Sequence, residues 1–172
     1  LYAGGSFGRR AAGASDYVLE AVSIAQAIDG RVPVKLVWTR EDDTRAGRFR
    51  PMFLHHVRGA LDGDARLVAW QHRTVGQAFS GADDKGLDEA AVEGLADLSY
   101  EVPNLRVECH VATSPVTTQW WRSVGHSYTC CVIESFIDEL AAAAGEDPAA
   151  FRRRYLKDSP RHLAVLDLVR EK

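Results

Sequence analysis

The sequence predicts an α+β domain: a mixed sheet containing a long antiparallel hairpin, with helices packed against it. Two strand-like runs, residues 53–61 and 66–79, flank Asp62-Gly63-Asp64-Ala65, the pattern of a hairpin and its turn. Apolar residues recur at helical spacing over residues 16–29 and 126–144, and Asp147-Pro148 and Ser159-Pro160 each place a capping residue before a proline. A chain of 172 residues with 46% hydrophobic content is long enough to bury one real core.

The elements follow in order. Gly4-Gly5-Ser6-Phe7-Gly8-Arg9-Arg10 is a glycine-rich loop with two arginines, suited to backbone conformations and close approaches that a side chain would forbid. Ser15 then caps a helix carrying Val18, Val22, Ala25 and Ile28 on one stripe, and Gly30 stops it. Residues 34–38 read as a short buried strand, which makes a half βαβ unit whose first strand would precede Leu1. Together with an opening Leu1-Tyr2-Ala3 that has no methionine, this reads as a piece of a longer protein, one domain incomplete at both ends.

Residues 39–51 are expected to form a polar connector, with Glu41, Asp42 and Asp43 in a capped turn. In the hairpin, adjacent His55 and His56 point to opposite faces and so do not share a metal; with His72 they read as polar positions on a sheet wetted on one side. Residues 80–86 read as a flexible loop and residues 87–98 as an acidic helix whose charges solvate it. Alternation over residues 105–113 marks a strand with Cys109 toward the core. Pro115 ends it, and the loop Thr117-Thr118-Gln119-Trp120-Trp121-Arg122-Ser123-Val124-Gly125 leads into the helix from His126, which stops at Gly145. Cys130 and Cys131 on that helix read as packing residues, and Arg152-Arg153-Arg154 as a solvated helix end.

Charge and cysteine usage exclude several functions. A net charge of -3, from 21 basic and 24 acidic residues, offers no field for a nucleic acid. No apolar run approaches the roughly 20 residues of a membrane span. Cys109, Cys130 and Cys131 lack Cys-x-x-Cys spacing, so neither a zinc site nor an iron-sulfur cluster can be built from this chain alone.

Two loops about a hundred residues apart, each leading to a helix, form the candidate site. Taken alone, the residues leave other readings open. Both loops could be structural, with the tryptophans forming the surface of an interaction or scaffold domain. Gly4-Gly5-Ser6-Phe7-Gly8 also spells G-x-S-x-G, the nucleophile elbow of serine hydrolases, although here the helix starts several residues too late.

The glycine loop, Trp38-Thr39-Arg40-Glu41-Asp42-Asp43, Val102-Pro103-Asn104 and Trp121-Arg122-Ser123-Val124-Gly125-His126, with Glu134 to Ala141, occur in an order that resembles the molybdenum hydroxylase large subunit. This is the xanthine dehydrogenase and aldehyde oxidase family, and the double arginine and Trp-Trp-Arg-x-x-Gly-His are most similar to its isoquinoline 1-oxidoreductase beta-subunit branch. The resemblance implies part of a molybdopterin-binding domain, with Gly5, Phe7, Gly8 and Arg122 beside the cofactor and Val124 at the wall of the substrate site. Ser6 stands where relatives usually have glycine. The resemblance further implies a molybdopterin cytosine dinucleotide with molybdenum, a small-molecule substrate, and a separate subunit carrying iron-sulfur clusters. The reaction it implies is hydroxylation of an N-heterocycle or aldehyde with oxygen from water. The family's catalytic glutamate lies in a Gly-Glu motif nearer the C-terminus, which nothing after Gly145 resembles, so this stretch alone is expected to be inactive.

Overall fold

The computed structural model describes residues 4–11, 14–79 and 87–172, and the chain divides into two compact units. The loop expected over residues 80–86 lies outside the described residues. One unit comprises residues 1–51 and 113–122; the other comprises residues 52–112 and 123–172.

The second unit carries the sheet. Strands β1 (Phe53–Leu61) and β2 (Leu67–Gly76) pair antiparallel, and β3 (Asn104–Val111) joins β2 in parallel, giving the mixed order β1-β2-β3. The hairpin forms where its turn residues predict it: Asp62 Oδ1 accepts from the Asp64 and Arg66 backbone N–H groups, and Ala65 takes a positive φ of 57°. Val107 and Cys109 pack on the core from β3, while Leu105 and Val111 near its ends are exposed.

Helix α3 (His126–Ala144) ends at Gly145 in the left-handed conformation, matching the sequence reading. It buries Thr129, Ile133, Ile137, Leu140 and Ala141, positions three or four apart that share one face. Cys130 and Cys131 lie off that face and are exposed, which corrects their reading as packing residues. Trp70, 1% exposed, meets Phe136 edge to face at 4.9 Å, and Phe151 and Ile137 are fully buried beside Leu67, Leu95 and Leu140.

Helices α4 (Pro148–Tyr155) and α5 (Pro160–Arg170) both begin with proline as read, and Asp147 caps α4 by accepting from the Ala150 N–H. The three arginines are not a solvated end. Arg152 bridges Glu134 and Asp138 of α3, Arg153 pairs with Asp167, and Arg154 with Glu146. Tyr155 fastens the sheet, its hydroxyl accepting from the buried Leu67 N–H at 2.6 Å. Replacing Tyr155 with Phe strands that N–H in the core and is expected to cost about 1–3 kcal/mol, read as a lowered urea midpoint.

Residues 87–98 do not form the expected helix. A single 3-10 turn, Glu89–Val92, is capped by Asp88, and Gly94 at φ 79° diverts the chain afterwards. Ala91, Val92 and Leu95 are buried, so core burial overrode the helical pattern.

In the first unit, α1 (Asp16–Ala27) starts after Ser15, whose side chain makes no cap bond. Asp16 supplies the anchor instead, accepting from Arg9 Nη1 at 2.8 Å and Arg48 Nε at 2.9 Å. The Arg9 hydrogen bond, helped by Arg48, holds its carboxyl down at about 2. Residues 34–38 alternate in exposure as a strand would, yet no ladder pairs them among the described residues. The expected connector holds a helix, α2 (Arg40–Ala46), begun by a reciprocal capping box between Thr39 and Asp42. That Thr-x-x-Asp signal was present in the sequence.

Candidate functional site

The first unit brings the two loops together. Gly8, at φ 99°, packs so closely on the tryptophan segment that a Cβ there would stand 2.3 Å from the Trp120 carbonyl oxygen and 2.7 Å from Trp121 Cα. The Arg122 N–H donates to the Phe7 carbonyl at 3.0 Å, and the Arg122 guanidinium lies 4.3 Å from the centre of the Phe7 ring. Phe7 itself has φ 53° and Gly5 φ 116°, with the Phe7 ring folded back over Gly5. Four of the five residues read from sequence, Gly5, Phe7, Gly8 and Arg122, therefore stand together. Val124 belongs to the other unit.

An isolated β-bridge and neighbouring hydrogen bonds support the tryptophan segment. Phe49 bridges Thr118, Thr117 Oγ1 donates to the Gly47 carbonyl, and Trp121 Nε1 donates to the Arg48 carbonyl. The next arginine, Arg50, donates from Nη2 to the Arg122 carbonyl at 3.3 Å. Arg9 and Arg48 share one partner, Asp16, whereas Arg50 and Arg122 form no ion pair among the described residues. Sequence reading missed Arg50 because it treated residues 39–51 as a connector.

These features fit an anionic, amide-rich ligand. Arg50 and Arg122 offer uncommitted positive charge, and the Phe7 and Gly8 N–H groups donate to nothing among the described residues. Gln119, buried on the same segment, has neither amide atom partnered among the described residues. Buried polar atoms are normally satisfied, so this unmet capacity on the segment that carries Arg122 is the kind a bound group would use.

In the second unit, Ser123 and Val124 both take positive φ, 64° and 38°. For a β-branched residue that conformation costs on the order of 1–3 kcal/mol. Glu93 occupies the start of α3, its carboxylate accepting from the Gly125 N–H at 2.9 Å. One backbone N–H at this helix start is therefore already taken by a carboxylate.

The remaining candidates sort as follows. Ser6 is followed by one 3-10 turn, Arg9–Ala11, and the α-helix begins only at Asp16, so the strand-serine-helix elbow is not formed. His55 and His72 are not wetted sheet positions: His72 is fully buried, and its Nε2 lies 2.8 Å from His55 Nδ1, one ring donating to the other. The Phe53 and Tyr128 rings pack around His55, and Trp70 flanks His72. Among the described residues no group of three or more His, Cys, Asp or Glu stands ready to hold a metal ion.

Burial, with the neighbouring His55, pushes His72 down to about 4, and burial lowers His55. The unfolded chain then binds more protons than the folded one below pH 6.5, so stability is full above that pH and falls toward pH 4. About 2 kcal/mol is expected to be lost between pH 7 and pH 5. Urea midpoints across that range check it, and His72→Gln should flatten the slope.

The fold has counterparts among solved structures. The structure superposes on quinoline 2-oxidoreductase from Pseudomonas putida 86 with a TM-score of 0.77 and 21% identity, covering 98% of this chain and 23% of that one. It superposes on the aldehyde oxidoreductase of Desulfovibrio gigas with a TM-score of 0.68 and 24% identity, covering 88% and 16%. Both superpositions show the same α+β fold in a segment of a much longer chain.

The family follows from sequence. Residues 1–156 match the molybdopterin cofactor-binding domain, and the chain belongs to that family. A membrane-bound aldehyde dehydrogenase of Gluconacetobacter polyoxogenes, named for pyrroloquinoline quinone, is 36% identical over 92% of this chain and 22% of its own length. Isoquinoline 1-oxidoreductase subunit beta of Brevundimonas diminuta is 29% identical over 98% and 22%. The aldehyde oxidoreductase molybdenum-binding subunit of Escherichia coli K12 is 32% identical over 88% and 20%. The chain spans about a fifth of the length of these relatives. No helix among the described residues is long and apolar enough to cross a membrane.

Proposed function

We propose that this chain is part of a molybdenum hydroxylase large subunit that oxidises an N-heterocycle or an aldehyde with oxygen drawn from water. Its contribution is part of the wall that holds the cofactor. The observation that carries this reading is the packing of Gly8 onto the Trp120–Trp121 backbone with Arg122 over Phe7. When bound, a molybdenum cofactor supplies the centre that takes two electrons from the substrate.

This chain's residues hold and orient. The Phe7 and Gly8 N–H groups would donate to oxygen on a bound cofactor without themselves adding a titratable group. Arg122 faces developing negative charge with a planar, permanently charged fork, and Phe7 limits its rotation. Arg50 adds a second cation, and Gln119 offers an amide to the pterin. Val124 lines the substrate site.

The general base is contributed by a segment of the parent protein outside these residues, and this piece alone is inactive. The cofactor is the cytosine dinucleotide form, and electrons leave through iron-sulfur clusters on a separate subunit. Residues 34–38, strand-like and without a ladder, pair in the parent with a strand from outside this stretch.

The test is metal and cofactor content of the native-length protein, purified with its accompanying subunits. Near one molybdenum per chain by elemental mass spectrometry supports the reading. Stoichiometric pyrroloquinoline quinone without molybdenum would transfer the chain to the chemistry for which its Gluconacetobacter relative is named. Neither would leave a scaffold role.

A further inference from the structure

We propose that Glu93 is a positioning residue for substrate binding, acting through the backbone turn that aims Val124. Two successive residues with side chains, Ser123 and Val124, are held at positive φ immediately before α3. A turn of that kind relaxes unless its surroundings over-determine it. Glu93 supplies much of that constraint. Its Oε2 accepts from the Gly125 N–H at 2.9 Å, so the residue after Val124 is tied to this carboxylate, and the His126 ring stands beside it with Nδ1 at 3.4 Å.

The Glu93 backbone is tied to the same helix, its carbonyl accepting from Thr129 Oγ1 at 2.7 Å. Gly125 fits against this segment so tightly that a Cβ would stand 2.2 Å from the Ala90 carbonyl oxygen and 2.9 Å from Glu93 Cβ. On the helix side, Ser127 donates from Oγ to the Val124 carbonyl at 2.7 Å. Val124 is thus pinned through its own carbonyl and through its neighbour's N–H. Removing the carboxylate frees the second pin and lets φ of Val124 return toward negative values, which redirects its side chain.

The role of Val124 as substrate wall rests on the hydroxylase reading; the clamp itself rests on geometry. In the parent holoenzyme, with isoquinoline and benzaldehyde as probes, Glu93→Ala is expected to raise KM fivefold or more, with kcat and molybdenum content within twofold. Glu93→Gln keeps an acceptor oxygen and should stay within twofold of the parent KM. A smaller rise for the alanine variant, or a larger one for glutamine, overturns the proposal. Should Glu93→Ala fail to assemble, Glu93→Asp decides: its acceptor is withdrawn by one methylene, and a threefold or greater rise in KM supports the clamp while a smaller one overturns it.

If the unmutated holoenzyme turns over neither probe, it is the hydroxylase reading that fails, and amide exchange decides the clamp separately. Glu93→Ala must then speed exchange in residues 123–129 tenfold or more while leaving Phe53–Leu61 unchanged. Equal exchange in the two proteins overturns it.

Discussion

Gly8→Ala is expected to separate the two loops of the first unit and to strip the parent protein of most of its cofactor. The added methyl would stand 2.3 Å from the Trp120 carbonyl oxygen, 2.9 Å from its carbon and 2.7 Å from Trp121 Cα. All three are backbone atoms, so no rotamer change relieves the clash. Overpacking costs roughly 1–3 kcal/mol and the left-handed backbone, at φ 99°, about 1–2 more. The sum, about 2–5 kcal/mol, is comparable with what holds one loop on another. Amide exchange over residues 117–122 should rise sharply, and molybdenum per chain should fall. Gly4→Ala is the control, because a Cβ there meets nothing within 4 Å. Unchanged exchange and molybdenum in Gly8→Ala would remove the loop pairing from any account of cofactor binding.

Arg122→Ala is expected to lower kcat/KM in the parent holoenzyme by about a hundredfold, the effect of losing one preorganised charge in an active site. The guanidinium makes no ion pair among the described residues, so its loss leaves no carboxylate stranded, and the fold should survive. Its own N–H bond to Phe7 is backbone and persists in the variant. Arg122→Lys restores the charge without the planar fork that lies over the Phe7 ring, and should recover only about a tenth of the parent rate. Steady-state kinetics normalised to molybdenum content measure both. A kcat/KM for Arg122→Ala within threefold of the parent would take Arg122 out of the site.

Much of the fold was legible because its signals are local. The hairpin rests on Asp62 satisfying N–H groups two and four residues ahead, and α3 ends where Gly145 accepts a left-handed backbone. Proline after Asp147 and after Ser159 marks two helix starts by the same kind of near-neighbour chemistry. Where local signals were misread, a competing interaction explains it. The capping box of Thr39 and Asp42 outweighed a charged, interrupted composition, and Gly94 with the buried Ala91, Val92 and Leu95 broke an apparently helical run.

The site divides along the same line. The two loops could be singled out because a glycine-rich loop and a Trp-Trp-Arg segment are unusual stretches in themselves, while the choice of Gly5, Phe7, Gly8, Arg122 and Val124 within them came from the resemblance to the molybdenum hydroxylase large subunit. Arg50 could not, since nothing near it in sequence distinguishes it from Arg45 or Arg48. Its importance comes from donating to the Arg122 carbonyl across 72 residues.

By itself, then, the sequence determined the α+β class, the hairpin, the long helix and its stop, and the two loops worth watching. Tertiary structure alone decided that Gly8 lies against the Trp120–Trp121 backbone, that His55 and His72 share a buried hydrogen bond, and that Glu93 holds the Gly125 N–H. The reason is physical: turns, caps and amphipathic stripes are settled by residues within four or five positions of each other. Close backbone approaches and buried polar pairs depend on which distant segments the core brings together, and they leave no periodic trace in the chain.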